Sequence, residues 1–237
     1  MPTEIQWLGQ AGFRIRTAAG TTVTIDPYLS DSCNALVGFK RMVPAPESLQ
    51  DFDTNYLLIS HEHPDHLDLE LYAALADKPH IQVYGNDHCR RTLAENKLDP
   101  SRLQLIAIGD TLQLGDVKVE VLAADHGEMC PDALGFLITA DGHTIYFAGD
   151  TAYSPALLQK AIDARPEVAL LPINGAFGNL DSKEASELAK VLDTKVLIPC
   201  HYWMFVEHMS YPYALLEEAK EIPAEVRFLA VGETTTI

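Results

Sequence analysis

The positions at which the apolar runs of this chain end limit its possible folds more than any other feature of the sequence. Short runs of apolar and β-branched residues recur along the sequence, with turn residues between them. Such runs are typical of strands, and folds built on rigid sheets place their sites where strands end. Six of the runs lead into a polar residue: Asp26, His61, His126, Asp150, Asn174 and His201. If the strands share one rim, these side chains converge there, so the pattern predicts a sheet fold with one polar site.

The densest part of the pattern is the loop from His61 to His66, which follows the apolar run 56–60. Its six residues contain three His and one Asp, although the whole chain has only nine His. Imidazole and carboxylate groups are ligands of divalent Zn, Mn and Fe. Pro64 fixes its own φ and pushes His63 into an extended conformation, which helps a short loop to aim several ligands at one point. The loop therefore predicts a metal site.

Length and composition predict a single domain over residues 1–237 with a sizeable core, because hydrophobic residues make up 47% of the chain. The net charge of −17 argues against a long nucleic acid as partner, since phosphate backbones are bound by basic surfaces. A small-molecule substrate stays possible, including an anionic one, because a metal centre supplies a local positive field. The sequence also leaves a homo-oligomer open.

The N-terminal residues and the cysteines indicate a cytoplasmic protein. Residues 1–6 lack the basic and apolar regions of a signal peptide, and no window approaches the roughly eighteen apolar residues that span a bilayer. We therefore expect no membrane partner. The four Cys are scattered and form no CxxC pair, which predicts reduced thiols.

Four stretches carry predictions about local structure. Residues 28–54 lack a clear periodicity, which predicts a loop that could cover a site. The pair Ser154-Pro155 fits the start of a helix that runs to about residue 164. Asp181 and Glu184 have the spacing of a capping box. Residues 226–231 are predicted to be a closing strand.

The order of the polar residues resembles the ligand order of the metallo-β-lactamase superfamily. The loop His61-Glu62-His63-Pro64-Asp65-His66 has the pattern H-x-H-x-D-H, and it is followed by His126, by Asp150 within Gly-Asp-Thr, and by His201. The resemblance covers nearly the whole chain. It implies an α/β fold, a four-layer αββα sandwich, with the site at one edge of the two sheets.

The same resemblance implies two divalent metal ions and the residues that hold them. The ligands of the first ion would be His61, His63 and His126. The ligands of the second ion would be Asp65, His66 and His201. Asp150 would bridge both ions. Each of these seven positions carries the residue type of the superfamily pattern.

A closer resemblance is to the branch that contains L-ascorbate-6-phosphate lactonase. It rests on residues 7–13, on residues 174–179, and on residues 198–202 together with Phe205. It implies a metal-dependent hydrolase that acts on a small lactone or ester, with or without a phosphate group. This branch favours Mn, while the wider superfamily favours Zn. Iron is disfavoured, because flavin-diiron members carry Glu at the position of His63.

Two adjacent ions can share one hydroxide that is a nucleophile at neutral pH, and they can polarise the substrate oxygen. This chemistry gives catalytic roles to two carboxylates. Asp150 would hold both ions, and Asp65 would orient the hydroxide, while a carboxylate passes a proton to the leaving alkoxide. Two alternatives stay open: a phosphodiesterase acting on cyclic nucleotides or short RNA, and a non-catalytic metal-binding or sensing module on the same fold. Loss of a ligand would be the signature of the second alternative, and none is missing.

Four further residues are candidates for substrate contacts or for support of the ligands: Asp26, Asn174, Tyr202 and His208. Each also has a simpler structural interpretation. Asp26 precedes a proline and could merely form a turn, and Asn174 could serve turn geometry. Tyr202 and His208 follow His201 on what should be a site-facing loop, but an unpaired His is more often structural.

Three basic residues could meet an anionic substrate, namely Lys40, Arg41 and Lys183, although each is also consistent with a solvated surface. Cys200 directly precedes His201 in a predicted strand. Because side chains alternate along a strand, we expect Cys200 to point away from the site and into the core.

Overall fold

The computed structural model describes residues 2–218, 220 and 222–237. In this part of the chain, two mixed seven-stranded sheets are formed, one mainly from each half of the sequence. No helix within the described ranges is both long and apolar enough to cross a membrane.

The first sheet comes from the N-terminal half of the chain and is completed by the C-terminal strand. In spatial order its strands are β14 (Thr234–Thr236), β1 (Glu4–Gly9), β2 (Gly12–Arg16), β3 (Thr22–Ile25), β4 (Tyr56–Leu58), β5 (Gln82–Gly85) and β6 (Leu103–Leu105). Pairing is antiparallel from β14 to β3 and parallel from β3 to β6. Parallel strands run in one direction, so β3 and β4 end at a common edge.

The second sheet repeats this arrangement. In spatial order its strands are β13 (Glu225–Val226), β12 (Val196–Cys200), β11 (Val168–Pro172), β10 (His143–Phe147), β9 (Leu134–Ala140), β8 (Val117–Ala123) and β7 (Thr111–Leu114). Pairing is antiparallel from β7 to β10 and parallel from β10 to β13. Because β8 and β10 are both antiparallel to β9, the C-terminal ends of β8, β10, β11 and β12 lie at one edge.

The described residues contain six α-helices: α1 (Ser32–Val37), α2 (Leu69–Ala74), α3 (Asp87–Glu95), α4 (Gln159–Ala164), α5 (Ser182–Leu192) and α6 (Pro212–Glu218). Side chains cap three of their N-termini, as expected for Asp and Asn at this position. Asp68 accepts hydrogen bonds at the start of α2, and Asn86 does so at the start of α3. The predicted capping box of Asp181 and Glu184 is confirmed at the start of α5.

Alternation of side chains along the strands sets the order of the layers. In β4, Leu57 packs with buried residues of α2 and α3, whereas Leu58 joins the core that contains residues of both sheets. In β5, Val83 likewise packs with the helices, and Tyr84 joins the core between the sheets. On the other side, Leu188 of α5 packs with buried strands of the second sheet. The layers therefore run helix, sheet, sheet, helix, which confirms the predicted αββα sandwich.

Two local predictions need correction. Residues 28–54 are not wholly irregular, because they include α1. The helix predicted from Ser154 begins only at Gln159. The N–H groups of Leu157 and Leu158 both donate to the carbonyl of Ser154, at 3.0 Å each, which closes a turn ahead of the helix.

The predicted closing strand over residues 226–231 is wrong except for its first residue. Strand β13 ends at Val226, and the N–H of Glu233 then donates to the carbonyl of Ala230 in a turn. This turn sends the chain across to β14 at the edge of the first sheet.

Candidate metal centre

The His-rich loop is folded into a tight turn at the end of β4. The backbone N–H groups of His66 and Leu67 both donate to the carbonyl of His63, at 2.9 and 2.8 Å. Just before the loop, the N–H of Ser60 donates to Asp26 Oδ1 at 2.7 Å, which ties the end of β4 to the end of β3. The turn therefore presents its side chains from a fixed position on the rim.

Three imidazoles from two loops form what we call the imidazole group: His61, His63 and His126. The Nδ1 atom of His63 lies 3.0 Å from Nε2 of His61 and 3.3 Å from Nε2 of His126. His61 and His126 are buried, and His63 is partly buried. Three ring nitrogens thus face one another across a short gap.

A second set, which we call the carboxylate group, lies on the other side of the centre: Asp65, His66 and His201. The Nε2 atoms of His66 and His201 lie 3.6 and 3.3 Å from Asp65 Oδ2. All three side chains are buried. This group therefore combines two imidazoles with a carboxylate of its own.

Asp150 lies between the two groups. Its Oδ1 atom is 3.2 Å from Nε2 of both His66 and His201, and its Oδ2 atom is 3.8 Å from Nε2 of His126. The preceding Gly149 has a φ of +67°, and a Cβ there would lie 2.5 Å from the carbonyl oxygen of Leu134 in β9. Only glycine allows this close passage, so Gly149 fixes the path of the backbone into Asp150.

The donor atoms fit divalent metal ions. Ligands bound at about 2.0–2.1 Å in a tetrahedron lie roughly 3.3 Å apart, and the separations within the two groups are 3.0 to 3.6 Å. His66 Nε2 and Asp150 Oδ1 are buried, and neither has a well-oriented hydrogen-bond partner among the described residues. Buried polar atoms without partners call for an explanation such as an ion. The structure thus brings all seven predicted ligands together.

The sequence model of a beta-lactamase superfamily domain matches residues 4–201, which include all of these ligands. The chain belongs to the metallo-β-lactamase superfamily. A UPF0173 metal-dependent hydrolase of Myxococcus xanthus is 31% identical over 99% of this chain and 84% of its own length. Together with the His and Asp clusters, such relatives support a metal-dependent hydrolase.

Solved structures share the fold of this superfamily member. Igni18, a metallo hydrolase of Ignicoccus hospitalis, matches with a TM-score of 0.78 at 23% identity, over 100% of this chain and 99% of its own. The isothiocyanate hydrolase from Delia radicum gut bacteria matches with a TM-score of 0.78 at 20% identity, over 99% of this chain and 98% of its own.

Asp26 supports the carboxylate group from outside. Its Oδ2 atom lies 2.7 Å from Nδ1 of His66 and also accepts a hydrogen bond from the hydroxyl of Ser60. In metal sites, a carboxylate on the outer nitrogen of a ligand imidazole fixes the orientation and tautomer of the ring. This placement favours the supporting role of Asp26 over a simple turn.

Gln10 contacts the candidate metal centre, although the amino-acid sequence gave little reason to predict that it would. It lies in the turn between β1 and β2 with a φ of +51°, and its side chain is 0% exposed. Its Nε2 donates to Asp65 Oδ2 at 2.8 Å, and its carbonyl accepts the N–H of His201 at 2.9 Å. A lone Gln carries no metal signal, and its only mark was a place within the motif of residues 7–13.

Two more residues at the centre were not among the predicted site residues. Asn179 donates from Nδ2 to Asp150 Oδ2 at 2.8 Å and so helps to position this ligand. Cys130 lies behind the imidazole group, with Sγ 3.5 Å from Nε2 of His63. The same thiol donates to Glu62 Oε1 at 3.2 Å. The spacing of Cys130 from other cysteines gave no sign of this position.

Without a bound ion, the carboxylate group holds protons. Burial by itself lowers the pKa of both His66 and His201. The carboxylates of Asp150 and Asp65 outweigh burial, holding the pKa of His66 well above its usual value and raising that of His201 to about 9. In return, although burial opposes it, these two imidazoles hold the pKa values of Asp65 and Asp150 well below the usual range.

The imidazole group is electrostatically different. Burial, followed by the nearby His66, holds the pKa of His61 well below its ordinary value. Burial also lowers the pKa of His126, although Asp150 opposes this shift. His61 and His126 are therefore neutral at pH 7 and have free lone pairs for a cation.

The structure brings His208 to the site. Its ring stacks on His201 with a centroid separation of 5.1 Å and an interplanar angle of 15°. Burial, followed by the charge of His201, lowers its pKa to about 4. His208 is therefore an uncharged ring beside the ligands.

Asn174 and Tyr202 are not brought to the ligands. Asn174 donates within its own turn, from Nδ2 to the carbonyl of Ala176 at 3.3 Å, and it lines a separate groove. Tyr202 is 3% exposed and stacks on Trp7 with a centroid separation of 4.9 Å. Its ring is therefore part of the core, as is Cys200, which was predicted to be there.

A cleft of about 220 Å³ opens above the two groups. Its floor is formed by ligand side chains, and one side is formed by Cys33 and Val37 of α1 and by Phe39. The segment 28–54 thus borders the candidate site.

Proposed function

We propose that this chain is a hydrolase with two divalent ions that cleaves a small ester or lactone. The observation that carries the proposal is the position of Asp150, whose two oxygens face the two groups of ligands. One side chain can therefore contact an ion in each group. The nitrogen and oxygen donors suit Mn or Zn, with iron the less favoured choice.

Bound ions would lower the pKa of a shared water and polarise the substrate carbonyl. The rest of the reaction falls to the protein. Asp150 keeps the two groups at a fixed separation. Asp65, on the floor of the cleft, orients the attacking water and accepts its proton. As the bond between the acyl carbon and the alkoxide oxygen breaks, Asp65 returns this proton to the alkoxide. An ester then leaves as an acid and an alcohol, and a lactone leaves as a single hydroxy acid.

The choice of a lactone or ester over a phosphodiester is supported by the resemblance of residues 7–13 and 198–202 to the lactonase branch. A cleft of about 220 Å³ suits a small molecule, and the net charge of −17 disfavours RNA. The four Cys are free thiols, which supports a reaction in the cytoplasm.

The test removes the metal and then offers substrates. Protein stripped by a chelator should lose activity on esters and lactones and regain it with Mn or Zn, with the bound metal measured by mass spectrometry. The proposal would be wrong if protein supplied with excess Mn or Zn bound no metal above background. Faster cleavage of cyclic nucleotides than of every ester and lactone would replace it with a phosphodiesterase.

A further inference from the structure

The cleft above the ligands has a polar floor but an apolar wall. The wall consists of Val37 and three Phe side chains, closed at its base by His208. The ring of Phe39 lies 6.1 Å from that of Phe177 and 6.0 Å from that of Phe205, measured between centroids. His208 contacts all three rings, so the wall is one continuous aromatic surface.

Phe177 is held in this wall in an unfavourable conformation. Its φ of +54° lies in the left-handed region, where a bulky side chain is an outlier. The residue is 48% exposed, yet its ring lies only 4.8 Å from the ring of His208 between centroids. Strained backbone persists where the surrounding structure enforces it, and such positions cluster at ligand contacts. Phe177 therefore marks the mouth of the cleft as a contact surface.

None of the described residues that line the cleft is Lys or Arg. Two basic residues that the sequence offered for an anionic substrate are engaged elsewhere. Arg41 donates to the carbonyls of Ser30 and Val43, at 2.6 and 2.8 Å, and Lys183 borders the separate groove of Asn174. The third, Lys40, follows Phe39 in the chain and is exposed, but it does not line the cleft. Phosphate groups are usually held by Arg or Lys. A phosphate inside the cleft would thus meet only aromatic rings and the ligand floor.

We infer that the substrate group recognised beside the scissile bond is small, uncharged and apolar, such as a short alkyl chain or a phenyl ring. The inference rests on the proposed function and narrows it to unphosphorylated esters and lactones. The volume of about 220 Å³ lies below the roughly 300–1,000 Å³ of pockets for drug-sized ligands. One ring or short chain fills the space beside the reacting carbonyl.

The first experiment compares three δ-lactones on the metal-loaded enzyme. They share one ring, which carries a propyl, a hydroxymethyl or a phosphomethyl group. We expect kcat/KM to fall in that order, with the propyl lactone at least roughly tenfold above the phosphomethyl lactone, the factor given by burying about two CH₂ groups. The reverse order overturns the inference and leaves the hydrolase intact. Failure to cleave any lactone or ester overturns the proposed function instead.

A variant pair tests the wall itself. Phe177→Gly removes the ring and suits the positive φ, so relief of the strained backbone partly offsets the lost packing and the protein should stay folded. We expect kcat/KM for the propyl lactone to fall roughly tenfold and that for the phosphomethyl lactone to change by less than about twofold. The control is Tyr213→Ala in α6, an aromatic side chain 58% exposed outside the cleft, which should change neither value. Equal losses on both lactones would overturn the inference.

A binding measurement decides the inference without turnover. Ligand-observed NMR with benzyl alcohol and the Zn-loaded protein should detect binding to the wild type and to Tyr213→Ala. Binding to Phe177→Gly should be at least about threefold weaker, because part of the apolar contact is gone. Equal binding to both variants, or no binding to the wild type, would overturn the inference.

Discussion

The two groups of ligands share Asp150 but differ in how the protein prepares them. In the carboxylate group, the outer nitrogen of His66 rests on Asp26, and Gln10 holds Asp65. In the imidazole group, by contrast, Nδ1 of His126 is buried without a hydrogen-bond partner among the described residues, and the thiol of Cys130 backs His63. The carboxylate group is braced and carries charge. In the imidazole group, His61 and His126 are neutral, and the outer nitrogen of His61 lies 3.0 Å from the hydroxyl of Ser60.

On the proposed function, this difference means that the two groups would accept a cation in different ways. The imidazole group has neutral imidazoles at His61 and His126, so it can take an ion without giving up their protons. The carboxylate group forms ion pairs between protonated imidazoles and carboxylates when no metal is bound. An ion entering it must displace those protons, because only the deprotonated imidazole is a ligand.

The largest effect should come from removing the shared ligand. Asp150→Ala takes an oxygen from each group, so we expect both to lose metal and kcat/KM to fall by roughly a thousandfold, beyond the roughly 10–100-fold typical of outer supports. Metal content by mass spectrometry and thermal unfolding check this, with Asp163→Ala on the exposed side of α4 as control. A folded variant that keeps its activity would remove the shared role of Asp150.

A change of pH should affect the metal affinities of the two groups differently. The pKa of His201 is raised to about 9, so its proton is bound below that pH and competes with the metal. His66, with a pKa also raised, adds a second proton. Zn affinity of the carboxylate group should therefore rise with pH, by up to roughly a hundredfold per unit between pH 6 and 8 for two protons.

The imidazole group should show a much shallower dependence over the same range, because the pKa values of His61 and His126 are lowered. Competition with a chelator at a series of pH values measures both slopes. Equal slopes for the two ions would contradict the contrast between the groups.

Asp26→Asn should weaken one group selectively. The variant removes the anionic partner of His66, whereas it reaches the imidazole group only through Ser60, whose hydroxyl lies 3.0 Å from Nδ1 of His61. We therefore expect the carboxylate group to hold Zn roughly 10–100-fold less tightly and the imidazole group to change less. Metal stoichiometry during titration with a chelator measures this loss. Uniform weakening of both groups would mean that Asp26 acts on the fold of the rim and not on His66.

The smallest effect is expected on the opposite side, from Cys130→Ala. The thiol touches the outer nitrogen of His63, so its loss should weaken metal binding by the imidazole group only a few-fold. Wild-type protein loaded with cobalt(II) should show no thiolate-to-cobalt charge-transfer absorption. Such a band, lost in the variant, would make Cys130 a direct ligand and would change the contrast between the groups.

The ligands could be predicted because their chemistry is local in the sequence. His61, His63, Asp65 and His66 fall in one loop, and the other three follow apolar runs that end at the same edge. The four layers were predicted from the resemblance to the superfamily. What a sequence shows poorly is a contact made by an ordinary side chain across the fold, such as that of Gln10 with Asp65, 55 positions away.

Backbone conformation explains the failure at Tyr202. The sequence predicted that Tyr202 lies on a site-facing loop after His201, and this prediction did not include a sharp turn there. The φ of His201 is +60° and that of Trp203 is +58°, so the chain turns sharply at the end of β12. This turn carries the ring of Tyr202 away from the ligands and onto Trp7. His is enriched at left-handed φ and Trp is not, but residue type alone does not locate such a turn in a sequence.

Because Gly149 passes close to the carbonyl of Leu134, strand β9 influences the reaction although it contains none of the ligands. The carbonyl of Leu134 limits how far the backbone at Gly149 can move, so the register of β9 helps to set where Asp150 lies between the two groups of ligands. We expect substitutions in β9 that leave every ligand in place to disturb the geometry of the candidate metal centre. Homologues of this chain should therefore tolerate substitutions in β9 far less than its distance from the substrate suggests.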